Sequence, residues 1–99
     1  MKIRELLTDE SKWTKGTMYR RADGTPVSYE EDPEITRCCL VGALHKCYPG
    51  KQKGEAFAQV LAKLDVALGT VAGCGVSVWN DAPERTFADV KKLVDELDI

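Results

Sequence analysis

The residues best suited to chemistry are four cysteines and a single histidine. Cys38, Cys39, His45 and Cys47 are close in sequence, and a thiol beside an imidazole is the usual pairing of a nucleophile with its base. On a helix, however, Cys39 and His45 would differ by about 600° around the axis, and Cys38 and His45 would lie about 10 Å apart along it. Neither pair would reach hydrogen-bond distance. We predict no catalytic residue; a small thiol-dependent enzyme using Cys38 or Cys39 is the alternative.

The same segment lacks the spacing of a metal site. No two of its cysteine and histidine residues are three or four positions apart, so no two ligands would share a helical face. No Cys-x-x-Cys pair occurs, and the glycines form neither a G-x-G-x-x-G pattern nor a Walker loop. We predict no metal and no cofactor. We also expect reduced thiols, because no secretion signal precedes them.

The candidate binding residues come from two long segments between predicted helices. Each segment carries one of the two tryptophans, Trp13 and Trp79. Long ordered loops are held by mutual packing or bind something, so we expect both tryptophan segments on the same side of the protein. Asn80, Asp81 and Arg85 would supply polar groups beside the rings. The alternative is structural: the rings cap the core, and the Asn-Asp pair holds a turn.

Charge argues against nucleic acid as the partner. The chain has 14 basic and 16 acidic residues, a net charge of −2, whereas nucleic-acid binders are usually basic. Bases and aromatics do alternate between Lys12 and Arg21, as on a platform for single strands. Packed aromatics flanked by solvated charges would give the same pattern. The expected partner is therefore an unidentified protein or a small molecule, and the oligomeric state stays open.

The clearest predicted element is a central helix over residues 33–47. Asp32 is suited to the N-cap and Pro33 to the first helical position, and Pro49-Gly50 would end the helix. Its middle, Cys38 to Leu44, is apolar on every side, which is typical of a buried helix. We expect it to be the core of the fold.

Three further helices and a hairpin complete the predicted fold. Apolar residues recur with helical spacing over 2–11, 55–68 and 86–97, with Gly69 as a C-cap and Thr86 as an N-cap. Asp23-Gly24 favours a minor hairpin over 17–28, with Pro26 in an edge strand, and Val76 to Val78 suggests a short strand. The prediction is a mainly α protein, a single small domain over 1–99, with about four helices around the central one.

Composition sets the broad class of the protein. Its 99 residues are 43% hydrophobic and 30% charged, the mix of an ordinary globular protein. The longest apolar run has seven residues, too short to cross a membrane. Charges stand near the N-terminus where a signal peptide would be apolar, so we expect a cytoplasmic protein.

Several short motifs together resemble a known group of proteins. They are Trp13-x-x-Gly16, Arg20-x-x-Asp23-Gly24, Cys39-Leu40-x-Gly42-Ala43-Leu44, and Trp79-Asn80-Asp81 followed by Arg85-Thr86. The combination resembles a family of short uncharacterised bacterial and phage-associated proteins. The resemblance implies a small intracellular protein of an accessory or mobile genetic element and brings no catalytic residue with it. From these observations we expect a non-enzymatic binding or regulatory module.

Overall fold

The structure is a computed structural model that describes residues 1–48, 54–71 and 74–99. Within these ranges it contains a three-stranded sheet, five α-helices and one 3₁₀ turn at Glu10–Lys12. The strands are β1 (Tyr19–Arg21), β2 (Pro26–Val27) and β3 (Ile35–Cys38). The helices are α1 (Ile3–Leu6), α2 (Leu40–Cys47), α3 (Glu55–Leu68), α4 (Val76–Asp81) and α5 (Phe87–Leu97).

The sheet is antiparallel, with strand order β2-β1-β3. Tyr19 is opposite Val27 on one side and Cys38 on the other. Gly24 turns the β1–β2 hairpin with a φ of 91°, a conformation that glycine adopts without steric cost. Pro26 lies in the edge strand β2, where its missing N–H breaks no ladder. The hairpin predicted over 17–28 is therefore present.

The prediction of a helix over 33–47 is wrong in its first half. Residues Ile35–Cys38 form strand β3, and α2 begins only at Leu40. Asp32 does not cap a helix. Its carboxylate accepts from Arg21 on β1 and, through the other oxygen, from the backbone N–H of Glu34. The β-branched pair Ile35-Thr36 favours a strand, and β1 supplies its partner. The predicted stop at Pro49-Gly50 lies outside the described residues.

The predicted fold class is wrong for the same reason. A sheet packed with helices makes this a mixed α/β protein and not a mainly α four-helix protein. The expected strand at Val76 to Val78 is also wrong, because these residues begin α4. Val76 and Asn80 are both buried, which is the i, i+4 spacing of one helical face.

Two predicted helix ends are confirmed. Gly69 ends α3 in the left-handed conformation with a φ of 68°. Thr86 caps α5 and forms a reciprocal capping box with Asp89, in which each side chain bonds the other residue's backbone N–H. These signals are local, so they need no tertiary partner to take effect.

Helix α2 lies at the centre of the packing and contacts α1, α3, α4 and β3. Leu40, Ala43 and Leu44 are fully buried. Gly42 lets the helix approach the sheet, because a Cβ built there would lie 2.4 Å from the carbonyl oxygen of Met18. No helix in the described ranges is long and apolar enough to cross a membrane.

Candidate functional site

A single buried amide joins three parts of the chain. Asn80, on α4, is 0% exposed. Its Oδ1 accepts from the indole nitrogen of Trp13 at 2.8 Å and from the backbone N–H of Leu40 at 3.1 Å. Its Nδ2 donates to the carbonyl oxygen of Thr14 at 3.1 Å and to the carboxylate of Asp81 at 2.9 Å. Both acceptor positions and both donors of this amide are therefore used inside the protein.

A second set of bonds fixes the loop after Trp13 to the end of α4. The Oδ1 of Asp81 accepts from the backbone N–H of Gly16 at 3.0 Å. The ammonium of Lys15 donates to the carbonyl oxygen of Ala82 at 2.8 Å. The two tryptophan segments thus lie together, as the loop argument predicted.

The two indole rings have different surroundings. Trp13 is 7% exposed, and its ring centroid is 6.2 Å from that of Phe87. Trp79 is half-buried, and the guanidinium of Arg85 stacks over its ring at 3.9 Å. The same guanidinium donates through Nε to the carbonyl oxygen of Trp79 at 2.8 Å. A stacked Arg–Trp pair of this kind combines cation–π attraction with a fixed orientation.

Burial divides the five predicted binding residues into two groups. Trp13 and Asn80 are buried, and their polar side-chain atoms are occupied by internal hydrogen bonds. Asp81 is exposed, and Trp79 and Arg85 are partly exposed. Only the second group can touch a ligand without rearrangement. A binding role for the set stays a prediction.

The thiols in the candidate nucleophile positions are buried, and burial favours their neutral form. Cys38 and Cys39 are each 3% exposed. Burial raises the pKa of Cys38 to about 11, against a smaller opposing effect of Lys46, and burial also raises the pKa of Cys39. The Sγ of Cys39 accepts from the backbone N–H of Gly42 at 3.2 Å and so caps α2. The thiolate is the reactive form, so neither residue has the character of a nucleophile at neutral pH.

His45 lies in different surroundings from Cys38. Its ring packs on Phe57 with centroids 5.3 Å apart, and it lines a groove beside Tyr19. Cys38 lines a different cleft. No group of three or more His, Cys, Asp or Glu residues is arranged to hold a metal ion anywhere in the ranges 1–48, 54–71 and 74–99.

The basic and aromatic run between Lys12 and Arg21 is used mainly for packing. Tyr19 and Trp13 are buried, so their faces are not available for stacking on bases. Arg20 donates to Thr14 Oγ1 at 2.8 Å and to the carbonyl oxygens of Lys15 and Gly24. The arrangement therefore matches the packed-aromatic alternative for this run.

One cleft was missed by the sequence reasoning. It has a volume of about 330 Å³ and lies between α1, the 3₁₀ turn, β3 and α2, where it is lined by Glu5, Leu6, Thr8, Lys12, Ile35, Thr36, Cys38 and Lys46. Glu5 is engaged in the cap of α1, since its carboxylate accepts from the backbone N–H of Lys2 at 2.7 Å. Lys12 and Lys46 form no ion pair with another residue that the structure describes. No sequence pattern could have paired them, because they come from separate elements.

Fold and site together define a small α/β protein with an antiparallel three-stranded sheet, a buried amide network and a lysine-lined cleft. The profile of a family of unknown function, DUF6197, matches residues 1–97. The chain belongs to this family. No curated protein and no solved structure matches it.

Proposed function

We propose that this protein is a non-enzymatic binding module that takes a small organic or inorganic anion in the cleft between Lys12 and Lys46. The observation that carries the proposal is the pair of ammonium groups on one cleft, both without ion pairs among the described residues. Its volume of about 330 Å³ falls at the lower end of the range for small-molecule sites. The ligand class is thus a carboxylate or phosphate of a few heavy atoms.

The other lining residues fit this ligand class. Two lysines against one engaged carboxylate, Glu5, leave the cleft positive. Thr8 and Thr36 line it as well, and their hydroxyls can donate to anionic oxygens. The buried thiol of Cys38 adds an apolar floor.

The chemistry of the cleft favours binding over catalysis. Hydrolysis or group transfer by Cys38 would need a thiolate, and burial holds its pKa near 11. It would also need a base within hydrogen-bond distance, whereas His45 lines the separate groove beside Tyr19. The proposal therefore keeps Cys38 as a lining residue only.

The proposal has three further parts. The protein is of bacterial or phage-associated origin and belongs to an accessory or mobile genetic element. It is located in the cytoplasm, and its role is regulatory. The support is the resemblance carried by the Trp-x-x-Gly, Cys-Leu-x-Gly-Ala-Leu and Trp-Asn-Asp motifs. A small ligand that changes a module's contacts is a common basis of regulation.

The test is a titration of the ¹⁵N-labelled protein with succinate and, separately, with inorganic phosphate. Saturable shifts of the Thr8, Thr36 and Cys38 amides are expected, and the affinity should fall as salt is raised. The double variant Lys12→Gln/Lys46→Gln should lose this binding. Lys92→Gln, an exposed lysine on α5, is the matched control and should bind as the wild type does. Unsaturable shifts, or equal binding by the double variant, would reject the cleft.

A second candidate surface is the exposed part of the predicted set, Trp79, Asp81 and Arg85. The specific observation is the Arg85 guanidinium stacked at 3.9 Å over Trp79, beside the exposed carboxylate of Asp81. The same titration separates the two surfaces. If Arg85→Gln loses succinate or phosphate binding and Lys12→Gln/Lys46→Gln keeps it, the ligand binds here.

Substituting Asp81 then tests what this residue contributes. Asp81→Ala removes the acceptor of the Gly16 and Asn80 N–H groups, while Asp81→Asn retains an oxygen that can accept both. Lost stability with unchanged binding would assign Asp81 a structural role. Unchanged stability with lost binding would assign it to the binding surface.

A further inference from the structure

Two arginines lie opposite each other on the sheet face that points away from α2. The register of β1 and β3 places Arg20 directly across from Arg37. Side chains alternate between the two faces along a strand, and the next pair, Tyr19 and Cys38, is buried, with the Tyr19 ring close to Gly42 of α2. Arg20 and Arg37 therefore share the other face, where Arg37 is exposed and Arg20 partly exposed. The Cβ atoms of directly opposite residues are about 4.5–5.5 Å apart.

The sheet has no negative charge that would offset these two cations. Strands β1, β2 and β3 contain three arginines and no acidic residue. Arg21, the next residue of β1, is ion-paired with Asp32 and Glu34 from the chain before β3. Neither Arg20 nor Arg37 has an ion pair with any residue that the structure describes. Like charges directly opposite in a sheet are destabilising, so the protein carries an uncompensated pair on an open face.

Hydrogen bonds to neutral acceptors hold the guanidinium of Arg20 in place. Its Nε donates to Oγ1 of Thr14 at 2.8 Å, its Nη1 to the carbonyl oxygen of Gly24 at 3.0 Å, and its Nη2 to that of Lys15 at 3.1 Å. A guanidinium has five N–H donors, so one N–H on each Nη is left for a further acceptor. The Arg37 side chain makes no hydrogen bond to the described residues. One side chain is thus fixed by the fold, while its neighbour is free to turn toward a ligand.

We propose that Arg20 and Arg37, the arginine pair, bind a phosphomonoester group on this face of the sheet. The group carries a charge of about −1.5 to −2 at neutral pH, which offsets two guanidinium charges. Arginine binds phosphate oxygens through two parallel N–H···O bonds. Three phosphate oxygens accept one such fork from Arg37 together with the spare N–H groups of Arg20. A carboxylate has one charge and two oxygens, so it satisfies one arginine and leaves the other.

The openness of the face determines how the phosphate is presented. Arg37 lines neither the lysine-lined cleft nor the groove beside Tyr19. Pro26, which lies across from Arg20 on its other side, is exposed as well. Sites for small molecules are concave and bury most of the ligand, whereas arginine clusters on open surfaces are a recurrent means of binding phosphorylated segments of proteins. The source of the phosphate is therefore a phosphorylated side chain of a partner protein.

The first experiment is an NMR titration of the ¹⁵N-labelled protein with the blocked tripeptide acetyl-Gly-phosphoserine-Gly-amide. Saturable shifts are expected at the Nε–H signals of Arg20 and Arg37. Arg37→Gln removes a side chain without described bonds, so it should fold as the wild type does and bind at least about tenfold more weakly. Arg37→Lys keeps the charge but not the fork and should recover only part of the affinity. Arg4→Gln, on α1, which packs against α2 and α5, is the matched control and should leave the affinity unchanged.

Two control peptides test which chemistry is recognised. The unphosphorylated peptide should cause no saturable shift. Acetyl-Gly-Asp-Gly-amide, which carries a carboxylate in place of the phosphate, should bind more weakly than the phosphopeptide because it has half the charge and one oxygen fewer. The proposal is overturned if the phosphopeptide causes no saturable shift at the two arginine signals, if Arg37→Gln binds it as tightly as the wild type, or if the aspartate peptide binds equally well.

A last titration tests the source of the phosphate and separates this site from the lysine-lined cleft. The phosphopeptide should bind more tightly than methyl phosphate, because main-chain contacts add to those of the phosphate. Equal or weaker binding would overturn the protein source and assign the site to a free small phosphoester. Any phosphate in the cleft is reported by the Thr8 amide, whose shift should persist in Arg37→Gln and disappear in Lys12→Gln/Lys46→Gln. The arginine signals should behave in the opposite way, so either site can fail without the other.

Discussion

The indole nitrogen of Trp13 donates to Oδ1 of Asn80 at 2.8 Å, although the two residues are 67 positions apart. The same oxygen accepts from the backbone N–H of Leu40, at the first residue of α2. One amide therefore joins the loop before β1, the start of the central helix and α4. Because no water reaches it, each of these bonds is stronger than an exposed one and more costly to lose.

Truncation of this amide should be among the most damaging single changes in the protein. Asn80→Ala leaves the indole N–H of Trp13, the N–H of Leu40 and the carbonyl of Thr14 buried without their partner. Each such group costs about 1–3 kcal/mol, and since the losses are not additive, we expect a decrease of about 3–5 kcal/mol in the free energy of unfolding.

The measurement is urea unfolding followed by circular dichroism. Ser77→Ala, an exposed change on the same helix, is the control and should stay within about 0.5 kcal/mol of the wild type. A loss below about 1 kcal/mol in Asn80→Ala would show that the network contributes little to folding.

Replacing Gly42 on the central helix by alanine should destabilise the protein, although helix propensity alone predicts that it would stabilise it. In a helix interior, Gly→Ala ordinarily stabilises by about 1 kcal/mol. At Gly42 the added Cβ would lie 2.4 Å from the carbonyl oxygen of Met18 and 2.9 Å from Cε1 of Tyr19. Gly42→Ala should therefore push α2 away from β1 and destabilise by about 1–3 kcal/mol, the usual cost of overpacking.

Thermal unfolding of Gly42→Ala tests this directly. The reference is Ala67→Gly, an exposed position on α3, which should show the ordinary propensity cost of about 1 kcal/mol. If Gly42→Ala is as stable as the wild type or more so, the close approach of α2 to the sheet is wrong.

The parts of the fold that follow from local signals could be predicted from the sequence. The capping box at Thr86 and Asp89 and the left-handed Gly69 are set by the residues on the spot. Strand β3 could not be predicted in this way, because Ile35–Cys38 is too short to show a period of its own and follows Asp32-Pro33, which is also a signal for the start of a helix. The choice is made by β1, which lies more than a dozen positions earlier and pairs with β3.

Of the candidate sites, too, only a part could be predicted from the sequence. The meeting of Trp13 and Asn80 could be predicted, because two long segments that each carry a large ring must pack somewhere. The cleft could not be predicted, since Lys12 and Lys46 line it together with residues of β3, and that strand was not predicted. The arginine pair could not be predicted either, because only the pairing of β1 with β3 brings its two members together.

The thiol of Cys38 should make stability depend on alkaline pH. Burial raises its pKa from 9.0 to about 11, so the unfolded chain releases this proton at a lower pH than the folded chain does. The unfolded state then binds fewer protons between pH 9 and 11, and the free energy of unfolding falls as the pH rises. Below about pH 8 the thiol is protonated in both states and the free energy of unfolding keeps its full value. By pH 11 ionisation of the thiol lowers this free energy by about 2 kcal/mol.

The measurement compares wild type with Cys38→Ala in urea at several pH values from about 7.5 to 10.5. The difference in free energy of unfolding between wild type and Cys38→Ala should narrow as the pH rises, because only the wild type has this thiol. Lysines and tyrosines titrate in both proteins, so their effects cancel in the difference. Cys74→Ala, which removes an exposed thiol, should leave the pH profile of the wild type unchanged. A constant difference across the range would mean that the Cys38 thiol has the same pKa in both states.

Removal of the Tyr19 hydroxyl should stabilise the protein. Tyr19→Phe keeps the ring that packs against α2 and removes a buried polar atom that has no partner. Because no other group loses a hydrogen bond, the gain is the desolvation cost of the hydroxyl, about 1 kcal/mol or more. Tyr29→Phe is the matched control: its hydroxyl donates to Asp32 at 3.3 Å near the surface, so this variant should be neutral or slightly destabilised. Thermal unfolding of the two variants decides the matter, and a less stable Tyr19→Phe would show that the hydroxyl is satisfied by bound water. A more stable one would show that the hydroxyl has no hydrogen-bond partner in the folded protein.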